Sequence, residues 1–162
     1  MSVLKVGQTA PIFSLSGIDG KAYALNQSGA GLTLAVFFKT NCPTCMTAFP
    51  YFERIHQTYR SAGLQIWGIS QHERERSVEF AAKYASSFPI LLDADWRVSK
   101  QYDPEYVPTA LLITPDGEIV DSVISFDKAG LNRLSQGIAA RLGIPAATIA
   151  LDNDGNPPFR PG

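Results

Sequence analysis

Apolar and polar positions divide this chain into alternating strand and helix periods. The strongest run is Leu32-Thr33-Leu34-Ala35-Val36-Phe37-Phe38, which predicts a buried strand over residues 32–39. Met46, Phe49, Phe52, Ile55 and Tyr59 then recur every three or four residues, the period of a helix over 43–61. Pro50 lies inside that helix, where it removes a backbone donor and should kink it. Residues 64–70 predict a second strand, and 76–86 a helix with Val78, Ala81, Ala82 and Ala85 inward. Residues 89–93 predict a short strand and 98–102 a short helix. A strand over 110–114 turns at Pro115-Asp116-Gly117 and returns antiparallel over 118–124. Asp127 is placed to cap a last helix carrying Leu131, Leu134, Ile138 and Leu142. Ahead of all these, Phe13 and Leu15 alternate with Ser14 and Ser16, and Asp19-Gly20 supplies a hairpin turn within residues 7–25.

Strand–helix alternation followed by a hairpin predicts an α/β fold. Its central sheet is mixed, with helices on both faces and an N-terminal β-hairpin as an extension. One domain is expected over residues 1–145, and a tail over 146–162 rich in Pro, Gly and Asn. Within the tail, Asp152–Gly162 reads as an arm that is disordered or ordered only on contact.

The 162 residues suit a single domain with a well-buried core. A net charge of −1 without a basic block argues against nucleic acid as a partner. No apolar stretch approaches a bilayer span. The start, Met1-Ser2-Val3-Leu4-Lys5-Val6, lacks the order of a signal peptide, so the cytoplasm is expected. A periplasmic or extracellular site follows instead if a leader was trimmed. The chain is expected to be a monomer or weak homodimer.

Two cysteines are present, in the run Cys42-Pro43-Thr44-Cys45 between the first strong strand and its helix. This junction puts the first sulfur at a helix N-terminus, where unpaired N–H groups and the dipole favour a thiolate. The second sulfur lies one turn on, within reach of a disulfide. A bridge closing two residues removes little chain entropy, so a stabilising role is a poor account of the pair. Reversible thiol–disulfide exchange is the better one. The blander alternative is two buried, inert cysteines.

Lowering a thiol from about 8.5 to about 7 takes roughly 2 kcal/mol. A helix terminus supplies about 0.3–1 kcal/mol, at most about 2. The N–H groups of Thr44 and Cys45, with the Cys45 thiol, are therefore expected to stabilise the Cys42 anion as well. Lys39 adds positive potential if it faces the sulfur. The Pro43-Thr44 linker carries no charge, which predicts a reducing or mildly reducing couple. His56 reads as a surface residue, His72 as a loop bystander, and Trp67 and Trp96 as core or rim aromatics.

With this motif on this scaffold, the chain resembles the thioredoxin-fold redoxins. It is most similar to the alkyl-hydroperoxide-reductase/thiol-specific-antioxidant (AhpC/TSA) and TlpA/ResA-like group, over roughly residues 5–142. The matches are Val6-Gly7-Gln8-Thr9-Ala10-Pro11 through Asp19-Gly20-Lys21, the Cys42–Cys45 motif, Pro50, and Val107-Pro108-Thr109 before the Asp116-Gly117 turn. The resemblance implies a thioredoxin-like fold and a cis peptide bond at Val107-Pro108 near Cys42. It implies a thiol–disulfide oxidoreductase with Cys42 as nucleophile and Cys45 as resolving thiol. Asn41, Pro43, Thr44, Val107 and Pro108 would contact substrate, with Val107 offering free backbone groups to an extended peptide. Partners would be protein or peptide disulfides and a thiol reductant, with no cofactor and no metal.

The chain departs from the family at several positions. Asn41 stands where many relatives carry Trp, and Val36 and Ala48 occupy two positions where relatives carry an acid near the second sulfur. Both usual sites for a proton acceptor to Cys45 are thus apolar. A peroxidase of the peroxiredoxin kind is the alternative activity, but Lys39 stands where its motif needs Thr, and no Pro lies between residues 12 and 42. A metal-carrying binding module using Cys42, Cys45 and a histidine is the third reading; its spacings to His56 and His72 fit no common zinc pattern.

Overall fold

The computed structural model describes residues 4–25 and 31–162. Strands β1 (Phe13–Ser16) and β2 (Ala22–Leu25) form the N-terminal hairpin. Its turn is fixed by Gly20 at φ 82°, by Lys21 N–H donating to Asp19 Oδ1 at 3.0 Å, and by Tyr23 OH donating to Asp19 Oδ2 at 2.5 Å. The main sheet follows with β3 (Thr33–Phe38), β4 (Gln65–Ser70), β5 (Ile90–Leu92), β6 (Thr109–Ile113) and β7 (Ile119–Ile124). Its order is β5-β4-β3-β6-β7; the first three strands run parallel and the last two antiparallel to their neighbours. The hairpin attaches to the β5 edge, where Ile18 N–H donates to Ile90 O at 2.9 Å.

Every residue of β3 is buried, because both faces of the sheet are covered. Leu34, Val36 and Phe38 face one core, with helices α1 (Pro43–Tyr59), α2 (Arg74–Lys83) and α4 (Lys128–Leu142). Ala35 and Phe37 face the other, with the hairpin and α3 (Arg97–Tyr102). Helix α1 buries Phe49, Phe52 and Ile55 completely or nearly so, a contribution of about 1.5–3 kcal/mol per side chain. The helix runs through Pro50 without ending there.

The inward face of α2 differs from the sequence expectation. Ser77, Phe80 and Ala81 are buried, whereas Val78 is 41% exposed and Ala82 and Ala85 are also exposed. The helix starts two residues earlier than expected and ends at Lys83, and Ala85 has left the helical region at φ 52°. A serine is acceptable inside because its hydroxyl exchanges a 2.7 Å hydrogen bond with Ser70 Oγ.

Helix α4 is capped by Asp127, whose side chain accepts from Gly130 N at 3.1 Å, and is ended by Gly143 with φ 70°. Beyond it, the tail packs onto the domain rather than leaving it. Ile149 and Ala150 are buried in the core under α1 and α4. Asn132 ties them down, accepting from both of their N–H groups and donating to Ala150 O at 2.9 Å. A two-residue ribbon of β8 (Phe126–Asp127) and β9 (Phe159–Arg160) then brings the tail back to the sheet end. Among the described residues, no helix is long and apolar enough to cross a membrane.

Candidate active site

Strand β3 ends at Phe38 and the chain turns at once into α1, so Cys42 becomes the N-cap of that helix in an extended conformation. Its sulfur accepts the backbone N–H of Cys45 at 3.1 Å. Pro43 occupies the first helical position, where no donor is required. Both cysteines are free thiols; Cys42 is half-buried and Cys45 fully buried.

Their environments push the two thiols apart. The Cys45 thiol, hydrogen-bonding to the Cys42 sulfur, is the largest influence drawing Cys42 down to about 6. Partial burial opposes this, while the backbone N–H groups of Cys45 and Thr44 and the charge of Lys39 support it. Cys45 is driven far above the ordinary thiol range, first by burial and then by its hydrogen bond to Cys42. Val36 and Ala48 share its core and are themselves buried. Glu53 and the Nδ1 atom of His72 have partners of their own. Glu53 is held by Ser87 N–H at 2.8 Å and Ser87 OH at 2.6 Å. On His72, Nδ1 accepts the Thr40 backbone N–H at 3.2 Å and lies 2.6 Å from the Thr40 hydroxyl.

The Val107–Pro108 peptide is cis, and Cys42 Sγ lies 3.5 Å from the Val107 carbonyl oxygen, so the segment at the start of β6 meets the redox pair. Asn41 and Pro43 are exposed on the rim. Two grooves flank them. One of about 340 Å³ runs past Thr40, Asn41 and Met46 to Phe80 and Tyr84 on α2. The other, about 300 Å³, borders Lys39, Gln71, Trp96, Tyr106 and Val107. Lys39 lies over the Trp96 ring, 4.9 Å from its centroid, which holds its charge beside the site rather than out in solvent. Trp96 in turn donates to Gln71 O at 3.2 Å. His56 is half-buried against the Phe88 ring, not a plain surface residue. Among the described residues, no group of three or more His, Cys, Asp or Glu side chains gathers as a metal-binding cluster.

Thr44 is buried beneath an unexpected neighbour. Its hydroxyl donates to Pro161 O at 2.6 Å. Gly162 N–H donates to Ser125 Oγ at 3.0 Å, and Arg160 donates to Thr47 Oγ1 at 3.1 Å. Residues 159–162 thus lie along the redox motif, a placement that sequence reading missed. The available signal was Pro157, Pro158 and Pro161, since proline-rich segments run extended.

Comparison with known proteins agrees with this geometry. The profile of the AhpC/TSA family matches residues 6–122. The chain is 33% identical over 121 residues to the thiol-disulfide oxidoreductase ResA of Halalkalibacterium halodurans, covering 74% of this chain and 68% of that protein. It is 34% identical to ResA of Bacillus subtilis, covering 72% and 66%. The match therefore spans about two thirds of the relatives' length. In fold it is similar to a Chlorobium tepidum protein provisionally described as the thiol:disulfide interchange protein DsbE, with a TM-score of 0.78, 25% identity and coverage of 86% and 99%. A secreted Mycobacterium tuberculosis disulfide oxidoreductase shares the fold at a TM-score of 0.66, with 21% identity and coverage of 79% and 95%.

Proposed function

The chain belongs to the AhpC/TSA family, and from that premise we propose that it is a ResA-like thiol–disulfide oxidoreductase acting on protein or peptide disulfides. One observation carries the reading: a half-buried sulfur caps α1 and accepts a backbone N–H, directly ahead of a fully buried second sulfur.

The Cys42 thiolate attacks one sulfur of a substrate disulfide. A Cys42–substrate disulfide forms, and the other substrate sulfur leaves as a thiolate. Cys45 then loses its proton and attacks the Cys42 sulfur. The second substrate thiolate leaves, and a Cys42–Cys45 disulfide remains. The substrate has gained two electrons and the protein has lost two; an external thiol restores the dithiol by the reverse exchange. The Thr44 and Cys45 N–H groups hold the attacking anion, and Lys39 adds positive potential. Asn41, Pro43, Val107 and Pro108 form the rim along which substrate lies.

Insulin reduction with dithiothreitol as the electron source tests this. Cys42→Ser should abolish turnover, and Cys45→Ser should accumulate a mixed disulfide at Cys42. Turnover of hydrogen peroxide faster than of insulin would move the assignment to a thiol peroxidase.

A further inference from the structure

We infer that residues Phe159–Gly162 are a built-in specificity element: they stand where part of an extended protein substrate would lie, so a protein disulfide must displace them and a small disulfide need not. The inference rests on the oxidoreductase reading above.

The segment is held at two places of very different strength. Its root is fixed. Lys128, a buried lysine at the start of α4, donates to Leu151 O at 2.8 Å, Asp154 Oδ1 at 2.6 Å and Asn156 O at 2.8 Å. Tyr51 OH donates to Asp154 and accepts from Asn156 Nδ2. The tip is not fixed in this way. Residues 159–162 are all exposed, and Phe159 keeps 54% of its surface in water. They are held by the β8–β9 ribbon and by polar contacts to Thr44, Thr47 and Ser125. An exposed segment with few apolar contacts opens at low cost.

The place it occupies is specific. Pro161 O takes the hydroxyl of Thr44, inside the redox motif. Gly162 packs flat against Val107: a methyl added to Gly162 would overlap Val107 O and come within 2.9 Å of its carbonyl carbon. That carbonyl is the one 3.5 Å from the Cys42 sulfur. The tip adds an antiparallel strand to β8, which is how an extended partner docks on a strand edge. Being tethered a few residues from its root, it competes at an effective concentration in the mM range. A protein segment that binds more weakly than this is kept out. Cys42 nonetheless stays partly exposed, so a small disulfide reaches it with the tip in place.

Two full-length variants loosen the tip from opposite sides. Gly162→Ala removes the room against Val107, and Ser125→Ala removes the acceptor for Gly162 N–H. Insulin and 2-hydroxyethyl disulfide serve as the large and the small substrate. Each variant should raise kcat/KM for insulin, by on the order of fivefold for one hydrogen bond lost, and leave that for 2-hydroxyethyl disulfide unchanged. Equal rates on insulin for wild type and both variants would overturn the inference, as would a parallel rise on both substrates. Alkylation of Cys42 reads the tip without any turnover. The variants should speed reaction with a polymer-linked maleimide and not with iodoacetamide. A chain that shows this size effect but reduces neither disulfide would defeat the oxidoreductase reading and leave the tip as a steric cover.

Discussion

The backbone N–H of Cys45 points at the sulfur of Cys42 from 3.1 Å, while the side chain of Cys45 is itself sealed from water. One turn of helix thus favours the anion on the first sulfur and disfavours it on the second.

The first consequence is a pH profile. With its ionisation drawn down to about 6, Cys42 exists as thiolate from that pH upward. Its alkylation rate should climb up to this midpoint and level off about one unit above it. An ordinary thiol would still be climbing at about 8.5. Cys45→Ala removes the leading cause of the depression and should move the Cys42 midpoint upward. Lys39→Gln should move it the same way by less. Iodoacetamide rates against pH measure all three; an unmoved midpoint in Cys45→Ala would show that the thiol contact is not the main support.

Resolution should be slow near neutral pH and accelerate as pH rises. Cys45 must become a thiolate to attack, yet burial pushes its ionisation up and its core neighbours Val36 and Ala48 are apolar. Val36→Asp or Ala48→Glu should supply an acceptor. General-base help is typically about 10²–10⁴-fold, and an untuned carboxylate should reach the lower end. Stopped-flow release from a Cys42 mixed disulfide is the measurement. No acceleration in either variant would mean that proton transfer from Cys45 is not limiting.

Lys128→Met should destabilise the whole fold. It removes the donor that Leu151 O, Asp154 and Asn156 O share, and each hydrogen bond lost at such a part-exposed site costs about 0.5–1.5 kcal/mol. Denaturant unfolding reads the change. A rise in kcat/KM for insulin relative to 2-hydroxyethyl disulfide is expected in the same variant, since the root of the covering segment goes with it.

Gly68→Ala tests the packing behind the site. A methyl there would meet Ile90 Cδ1 at 2.7 Å and Phe38 Cε1 at 3.2 Å. Overpacking of this kind costs about 1–3 kcal/mol, and Phe38 would pass the strain to Phe49, 4.5 Å away between ring centroids. A lowered midpoint of thermal unfolding is the expected result.

The strand–helix junction at Cys42 was legible because a continuous apolar run and a helical period meet there, and Asp127 because a capping residue precedes a periodic face. The inward face of α2 differs because alanines look like core, whereas the serine found inside is satisfied by Ser70 on β4 and by Glu73 O at the start of its own helix. The choice between a disordered tail and one ordered on contact was not legible for a related reason. Its Asp, Asn, Gly and Pro residues resemble a solvated arm, yet their backbone oxygens and Asp154 complete the coordination of one lysine on α4. Such a fit leaves no periodicity. Nor does a two-residue ribbon, which is too short for alternation to be visible.

The N-terminal hairpin, joined to β5 through Ile18 and Ile90, has a bearing on solubility. A sheet edge with open N–H and C=O groups recruits strands from other molecules. Here the first part of the chain is one cover, bridging Leu91 through Gly17 and Glu118 through Thr9, and β9 lying along β8 is a second. If the second cover lifts for substrate, the strand it uncovers is only two residues long. That is enough to receive a guest and too little to start a fibril.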